Sequence, residues 1–124
     1  MGVVVVGDLA HVVVDVVLEL EVLLHHGGQA VVEQVLRETR RTALICPEDN
    51  VAAFLASALR QAGVSVPQKA GVLSVMGTNV AVQNGLSCLR YDFRAMGRLA
   101  VEALDATVPP RHVLEPQLVA GGTT

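Results

Sequence analysis

The sequence predicts an α/β fold with a mostly parallel sheet and helices on both faces. Three observations carry that prediction. Short runs of β-branched and aliphatic residues recur along the chain, at Val3–Val6, Thr42–Cys46 and Gly71–Met76. Segments with helical apolar spacing lie between and after them. Gly, Pro, Asn and Asp punctuate the junctions. Strands that alternate with helices in this way build parallel sheets whose faces the helices cover.

The elements follow in order. Val3–Val6 is a buried strand closed by Gly7-Asp8. His11–Leu24 supports two readings: Asp15 and Glu19 share a helical spacing, whereas Leu18, Leu20 and Val22 alternate with Glu19 and Glu21. The alternation favours a strand over Leu18–Leu23. His25-His26-Gly27-Gly28 reads as a loop. A helix over Gln29–Thr39 follows, with an apolar stripe of Val31, Val32, Val35 and Leu36 and with Arg37, Arg40 and Arg41 near its negative end.

Thr42–Cys46 is the next strand, and Pro47-Glu48-Asp49-Asn50 turns into the clearest helix of the chain. Val51, Phe54, Leu55, Ala58, Leu59 and Ala62 form its stripe, Asp49 or Asn50 can cap its start, and Gly63 stands where a left-handed stop residue belongs. Val64–Pro67 connects to the strand Gly71–Met76, which Gly77-Thr78-Asn79 leaves. Val80–Cys88 reads as a loop and Leu89–Tyr91 as a short strand. Phe93–Ala106 is a helix capped by Asp92, with Phe93, Met96, Ala100, Ala103 and Leu104 as its buried face. Pro109-Pro110 stops it. His112–Leu114 and Gln117–Val119 are short extended pieces, and Gly121–Thr124 is a frayed tail.

Composition narrows the function classes. The chain has 124 residues, 52% hydrophobic and 17% charged, which excludes disorder and fits one domain. Two accounts fit the apolar excess: central strands buried on both faces, or a further face buried against another subunit or domain. Aromatic residues make up 2%, which argues against base-stacking surfaces. The net charge is −3, and residues 1–36 carry acids but no Lys or Arg, so no phosphate-binding surface is visible. Arg90, Arg94 and Arg98 share a helical spacing and read as a solvated face. Cys46 and Cys88 form no CxxC pair, and buried, reduced thiols in a cytoplasmic protein are expected. The N-terminus lacks the basic region of a signal peptide, and acids interrupt its valine-rich stretch, so neither secretion nor a membrane span is expected.

In open parallel sheets, ligands bind outside the carboxyl ends of the strands. That rule directs attention to His25–Gly28, Pro47–Asn50 and Gly77–Asn79. The same regions carry a resemblance. Thr42–Ala52 (TALICPEDNVA) looks like the segment of lactose-repressor-type (LacI/GalR) sensors that ends in an Ala-Asn-Asp turn before a helix. Gln61–Gly77 resembles their helix end, connector and next strand. Leu89–Leu104 is similar to their last long helix, including Asp92-Phe93 and Met96-Gly97, and Leu114–Thr124 resembles their closing segment. His26–Leu36 is a weaker match. The resemblance covers residues 27–124, and its specificity lies in the order and spacing of motifs that are individually weak. Residues 1–24 match poorly, giving an N-terminal strand region (1–24) and a sensing lobe (25–124).

The resemblance implies about one lobe of a periplasmic-binding-protein-like type I fold, with a small polar ligand such as a sugar or nucleoside at its edge and a homodimeric assembly. It also implies a transcription-regulating parent whose DNA-binding segment is not in this sequence, so no nucleic-acid contact is expected from this chain. It places ligand contacts at Glu48 and Asp49, where Glu48 departs from the family's Asn and can only accept hydrogen bonds. It places further contacts at Thr78 and Asn79, where the family has an aromatic residue and Asp. His25 is a further candidate from its loop. Each has a plainer role: Asp49 as a helix cap, Glu48 as a solvated acid, Asn79 as a turn former. No metal, cofactor or catalytic set is expected: His25-His26 lacks a tetrahedral complement, and no GxSxG, P-loop or GxGxxG is present. A ligand-independent dimerisation module is the alternative, and a small enzyme with a rearranged site is a third reading.

Overall fold

The computed structural model describes residues 2–7, 14–19, 28–108 and 111–124. Its elements are β1 (Gly2–Gly7), β2 (Val14–Glu19), α1 (Gly28–Arg37), β3 (Thr42–Cys46), α2 (Asp49–Gln61), β4 (Ala70–Ser74), α3 (Asn79–Gln83), β5 (Ser87–Arg90), α4 (Phe93–Leu104) and β6 (Gln117–Val119). They form one six-stranded sheet in the order β2-β1-β3-β4-β5-β6. The centre is parallel, β3 beside β4 and β4 beside β5. The flanks are antiparallel, with β1 against both β2 and β3, and β6 against β5. The α/β class holds, and the carboxyl ends of β3, β4 and β5 lie along one edge.

Alternation sets the core. Thr42, Leu44 and Cys46 of β3 are buried with a two-residue period, and Ala70, Val72 and Ser74 of β4 are buried along with Gly71. Val31, Val32 and Val35 of α1 and Val51, Leu55 and Leu59 of α2 join the same cluster. Leu44, Leu55 and Leu59 are fully buried; removing any of these side chains costs about 2–5 kcal/mol. The α2 stripe is rotated from the expected one. Ala52 and Ala56 are buried while Phe54 is exposed, because α2 packs against α1, α3, β3 and β4 at once and small residues permit the close approach.

The α2 stop is as expected. Gly63 adopts a φ of +80°, and Val64 N–H donates to Leu59 O at 2.9 Å while Gly63 N–H donates to Arg60 O at 3.0 Å. This paired closure satisfies two end carbonyls and buries Val64. At the end of α1, the Lys69 ammonium donates to the Arg40 carbonyl at 2.8 Å and to that of Glu38, tying the turn after α1 to the start of β4.

Several expectations need correction. The second strand spans Val14–Glu19, earlier than Leu18–Leu23, and Leu20–Leu23 lie outside the described residues. Val80–Cys88 is not a loop: α3 and the start of β5 occupy it. The face of α4 expected to be buried is not, since no α4 residue is buried and Leu104 is 83% exposed. Gly121–Thr124 is not frayed. Thr123 is 0% exposed and sits where β5 has not yet begun to pair with β4. Val72 N–H donates to Thr123 O at 2.6 Å, the Thr123 hydroxyl donates to Val72 O at 2.7 Å, and Ser87 N–H donates to Thr123 Oγ1 at 2.8 Å. Ser87 Oγ, itself buried, accepts from Gly121 N–H at 2.9 Å. Gly121 is required there, because a Cβ would stand 2.5 Å from the Leu86 carbonyl carbon.

Candidate functional site

Asp49 organises the carboxyl edge of the sheet. It is the first residue of α2, and it is 2% exposed. Its side chain does not cap the helix: Glu48 holds the cap position, with no side-chain cap bond. The carboxylate instead reaches the segment leaving β4. Oδ1 accepts from the Ser74 hydroxyl and from Gly77 N–H at 3.1 Å. Oδ2 accepts from Thr78 N–H and from the Thr78 hydroxyl, each at 2.5 Å. A carboxylate offers about four acceptor positions, and all are filled from this one segment. Burial pushes the Asp49 carboxyl up, but the bonds from Ser74, Thr78 and Gly77 outweigh it and hold the group below its ordinary value.

The loop so fixed leads directly to a cleft. Gly77 has a φ of +66°, and a Cβ there would lie 2.6 Å from Arg90 Cα. Only glycine combines that backbone with that approach. Arg90 ends β5 and pairs with Gln117 of β6. Arg90, Tyr91, Asp92, Phe93, Glu115 and Gln117 line a cleft of about 290 Å³. A second hollow of about 350 Å³, mostly apolar, shares Tyr91 and runs along α4 past Met96, Leu99 and His112. The Tyr91 and Phe93 rings stand 6.2 Å apart. The cleft therefore offers a guanidinium donor, carboxylate acceptors and two aromatic faces.

The residues expected from sequence fall differently. Asp49 and Thr78 meet, as the emergence of their loops at one edge requires. Glu48 is half-buried beside them, and Asn79 is exposed as the first residue of α3. The Thr78 hydroxyl also accepts from Val80 N–H at 3.3 Å, capping α3. His25 lies outside the described residues. Sequence reasoning missed Arg90, Tyr91, Phe93, Glu115 and Gln117. The carboxyl-end rule would have found the first three had β5 been set at 87–90. Glu115 and Gln117 need the antiparallel return of β6, which no local motif announces.

The fold recurs in known structures. An uncharacterized protein from Actinobacillus succinogenes superposes with a TM-score of 0.67 at 21% identity, over 78% of this chain and 39% of that one. The Escherichia coli transcriptional repressor AscG superposes with a TM-score of 0.58 at 23% identity, over 78% of this chain and 38% of its own. The chain thus spans about two fifths of the length of each. No curated protein matches. The model of the periplasmic-binding-protein-like domain matches residues 10–124. With that match, the parallel centre and the lactose-repressor-type motifs in agreement, the chain belongs to the periplasmic-binding-protein-like domain family.

Proposed function

We propose that this chain is the effector-binding and dimerising lobe of a transcription regulator, and that it takes a small polyhydroxyl ligand at the carboxyl edge of its parallel strands. The observation that supports this most is the Asp49 bracket, which spends a fully hydrogen-bonded buried carboxylate on fixing the Gly77–Thr78 turn against Arg90. Such rigidity at a strand edge is what a preformed site needs. In this reading Arg90, Glu115 and Gln117 hydrogen-bond hydroxyl groups, Tyr91 or Phe93 packs on the ring face, Glu48, Thr78 and Asn79 contribute from the neighbouring loops, and His25, outside the described residues, is a further candidate ligand group. Asp49 acts through the turn it holds. Binding shifts the balance of the parent regulator's states by its differential affinity for them.

Tyr91 is the single tyrosine and the chain has no tryptophan, so its fluorescence reports on the cleft and the hollow that adjoins it. Titration with a panel of mono- and disaccharides, with calorimetry for nucleosides, tests the reading. Saturable heat with at least one member, and a Tyr91 signal change for a sugar that binds, is expected. A folded chain silent to every member refutes it.

One observation favours a second reading, a ligand-independent assembly module. The Asp49 acceptors are all occupied, and Thr78 and Asn79 are engaged in starting α3. A dimer of unchanged affinity with and without each panel member would select this reading.

A further inference from the structure

We propose that the cleft at the end of β5 and β6 is built to hold a protonated amine, so that the polyhydroxyl ligand of this chain is an amino sugar. The inference names the ligand class of the site proposed above and rests on that reading. Strand register gathers the polar groups. Cys88, Leu89 and Arg90 pair with Val119, Leu118 and Gln117. Carried on by two residues in each direction, that register brings Asp92 and Glu115 to opposite positions. Both line the same cleft of about 290 Å³ as Arg90 and Gln117.

The charges of this cleft are not answered within it. Two carboxylates share the space with one guanidinium. None of the three forms an ion pair among the described residues, where Arg98 with Glu102 at 3.6 Å is the one such pair. Asp92 Oδ1 accepts from Ala95 N–H at 2.8 Å and caps α4, and the second oxygen, Oδ2, has no partner among the described residues. Like charges set opposite each other across paired chains repel. A cation between Asp92 and Glu115 replaces that repulsion with two attractions, and Arg90 can offset only one of the two acids.

Two aromatic rings border the same space. Tyr91 and Phe93 line the cleft, their centroids 6.2 Å apart and their planes inclined at 41°. A cation within about 6 Å of a ring centroid is drawn to the negative π face. Rings beside carboxylates are the combination that recognises an ammonium group, whereas a neutral sugar needs only the rings and hydrogen bonds. In this arrangement the hydroxyls keep Arg90 and Gln117, and the amine takes the place of one hydroxyl at Glu115. A phosphorylated or carboxylated sugar meets the same two acids and is disfavoured.

Calorimetric titration of the full chain with sugar pairs that differ by an amine in place of a hydroxyl tests the class. The pairs are glucosamine and glucose, galactosamine and galactose, mannosamine and mannose, at about pH 6.5, where such amines hold their proton. In at least one pair the amino member is expected to bind about tenfold tighter. Salt raised from about 20 to about 300 mM should narrow that ratio about threefold. Asp92→Asn keeps an acceptor for Ala95 N–H, and Glu115→Gln keeps the size of an exposed side chain, so far-UV circular dichroism is expected to match the parent. Each substitution should cut the amine-to-hydroxyl ratio about threefold. Binding in which no pair exceeds a threefold ratio, or a ratio that neither substitution lowers, overturns the amine and leaves the polyhydroxyl reading in place. Silence to all six sugars while another member of the wider panel binds does the same. A folded chain silent to the whole panel overturns both.

Discussion

Replacing Asp49 with asparagine isolates the bracket at the carboxyl edge. The amide keeps the shape but presents one acceptor oxygen in place of two. Its NH2 must point either at Ser74 and Gly77 or at Thr78. A hydroxyl can rotate to accept from it, whereas a backbone N–H cannot. One buried donor, Gly77 N–H or Thr78 N–H, is therefore left facing another donor in either orientation. That mismatch costs about 1–3 kcal/mol, and the remaining bonds lose their charge assistance. We expect Asp49→Asn to lower stability by about 2–4 kcal/mol at pH 7. Urea unfolding followed by circular dichroism reads this as a midpoint lower by about 1–2 M, for a slope near 2 kcal/mol/M. The pH dependence provides the second arm. The folded-state carboxyl titrates below its unfolded value, so its contribution is complete above about pH 5, where the unfolded group is also ionised, and is lost as pH falls through the folded value. The gap between parent and variant should hold constant from neutrality to about pH 5 and narrow on further acidification. A gap below about 0.5 kcal/mol at pH 7, or one that acid does not narrow, would refute the reasoning.

Other consequences follow from the same contacts. Thr123→Val keeps the shape of the buried side chain but deletes both hydroxyl bonds, to Val72 O and from Ser87 N–H; a loss of about 1–3 kcal/mol is expected in thermal or urea unfolding. Gly77→Ala forces a Cβ towards Arg90 at a positive φ, and should both destabilise the chain and change the Tyr91 emission of the adjacent cleft. Burial pushes the Cys46 thiol up to about 12, and Cys88 is 1% exposed. Both should therefore resist a disulfide reagent in the native state at pH 8 and react together on addition of denaturant.

The parts legible in the sequence were those set by local pattern. β3 and α2 carry uninterrupted periods, and Gly63 stops α2 because the left-handed position admits little else. The parts that escaped depend on distant partners. Ser87 and Cys88 read as loop, but Ser87 is buried in a strand because Thr123 and Gly121 satisfy it from 34 to 36 residues away. Asp49 reads as a cap because caps are local. Its actual donors lie 25 to 29 positions on, beyond any motif window. Asn79–Gln83 is too short for a period to show, although Thr78 before it was a usable capping signal. The stripe of α4 is apolar, as its spacing predicts, but it is not covered among the described residues, since periodicity reports the chemistry of a face and not whether a neighbour is there. The cleft at Arg90–Phe93 combines two such gaps, a strand boundary and an antiparallel return.

The wedge made by Thr123 also sets the order in which the protein can be completed during synthesis. Its hydroxyl closes onto Val72 across 51 positions. At translation rates of about 5–20 residues per second, the flank of β4 that it covers stays open for roughly 3–10 s after that strand has been made. An uncovered strand edge is a template for foreign pairing. The nascent chain is thus most exposed to misassociation in the interval between the emergence of Val72 and that of Thr123, and a ribosome pause inside that interval lengthens the exposure in proportion.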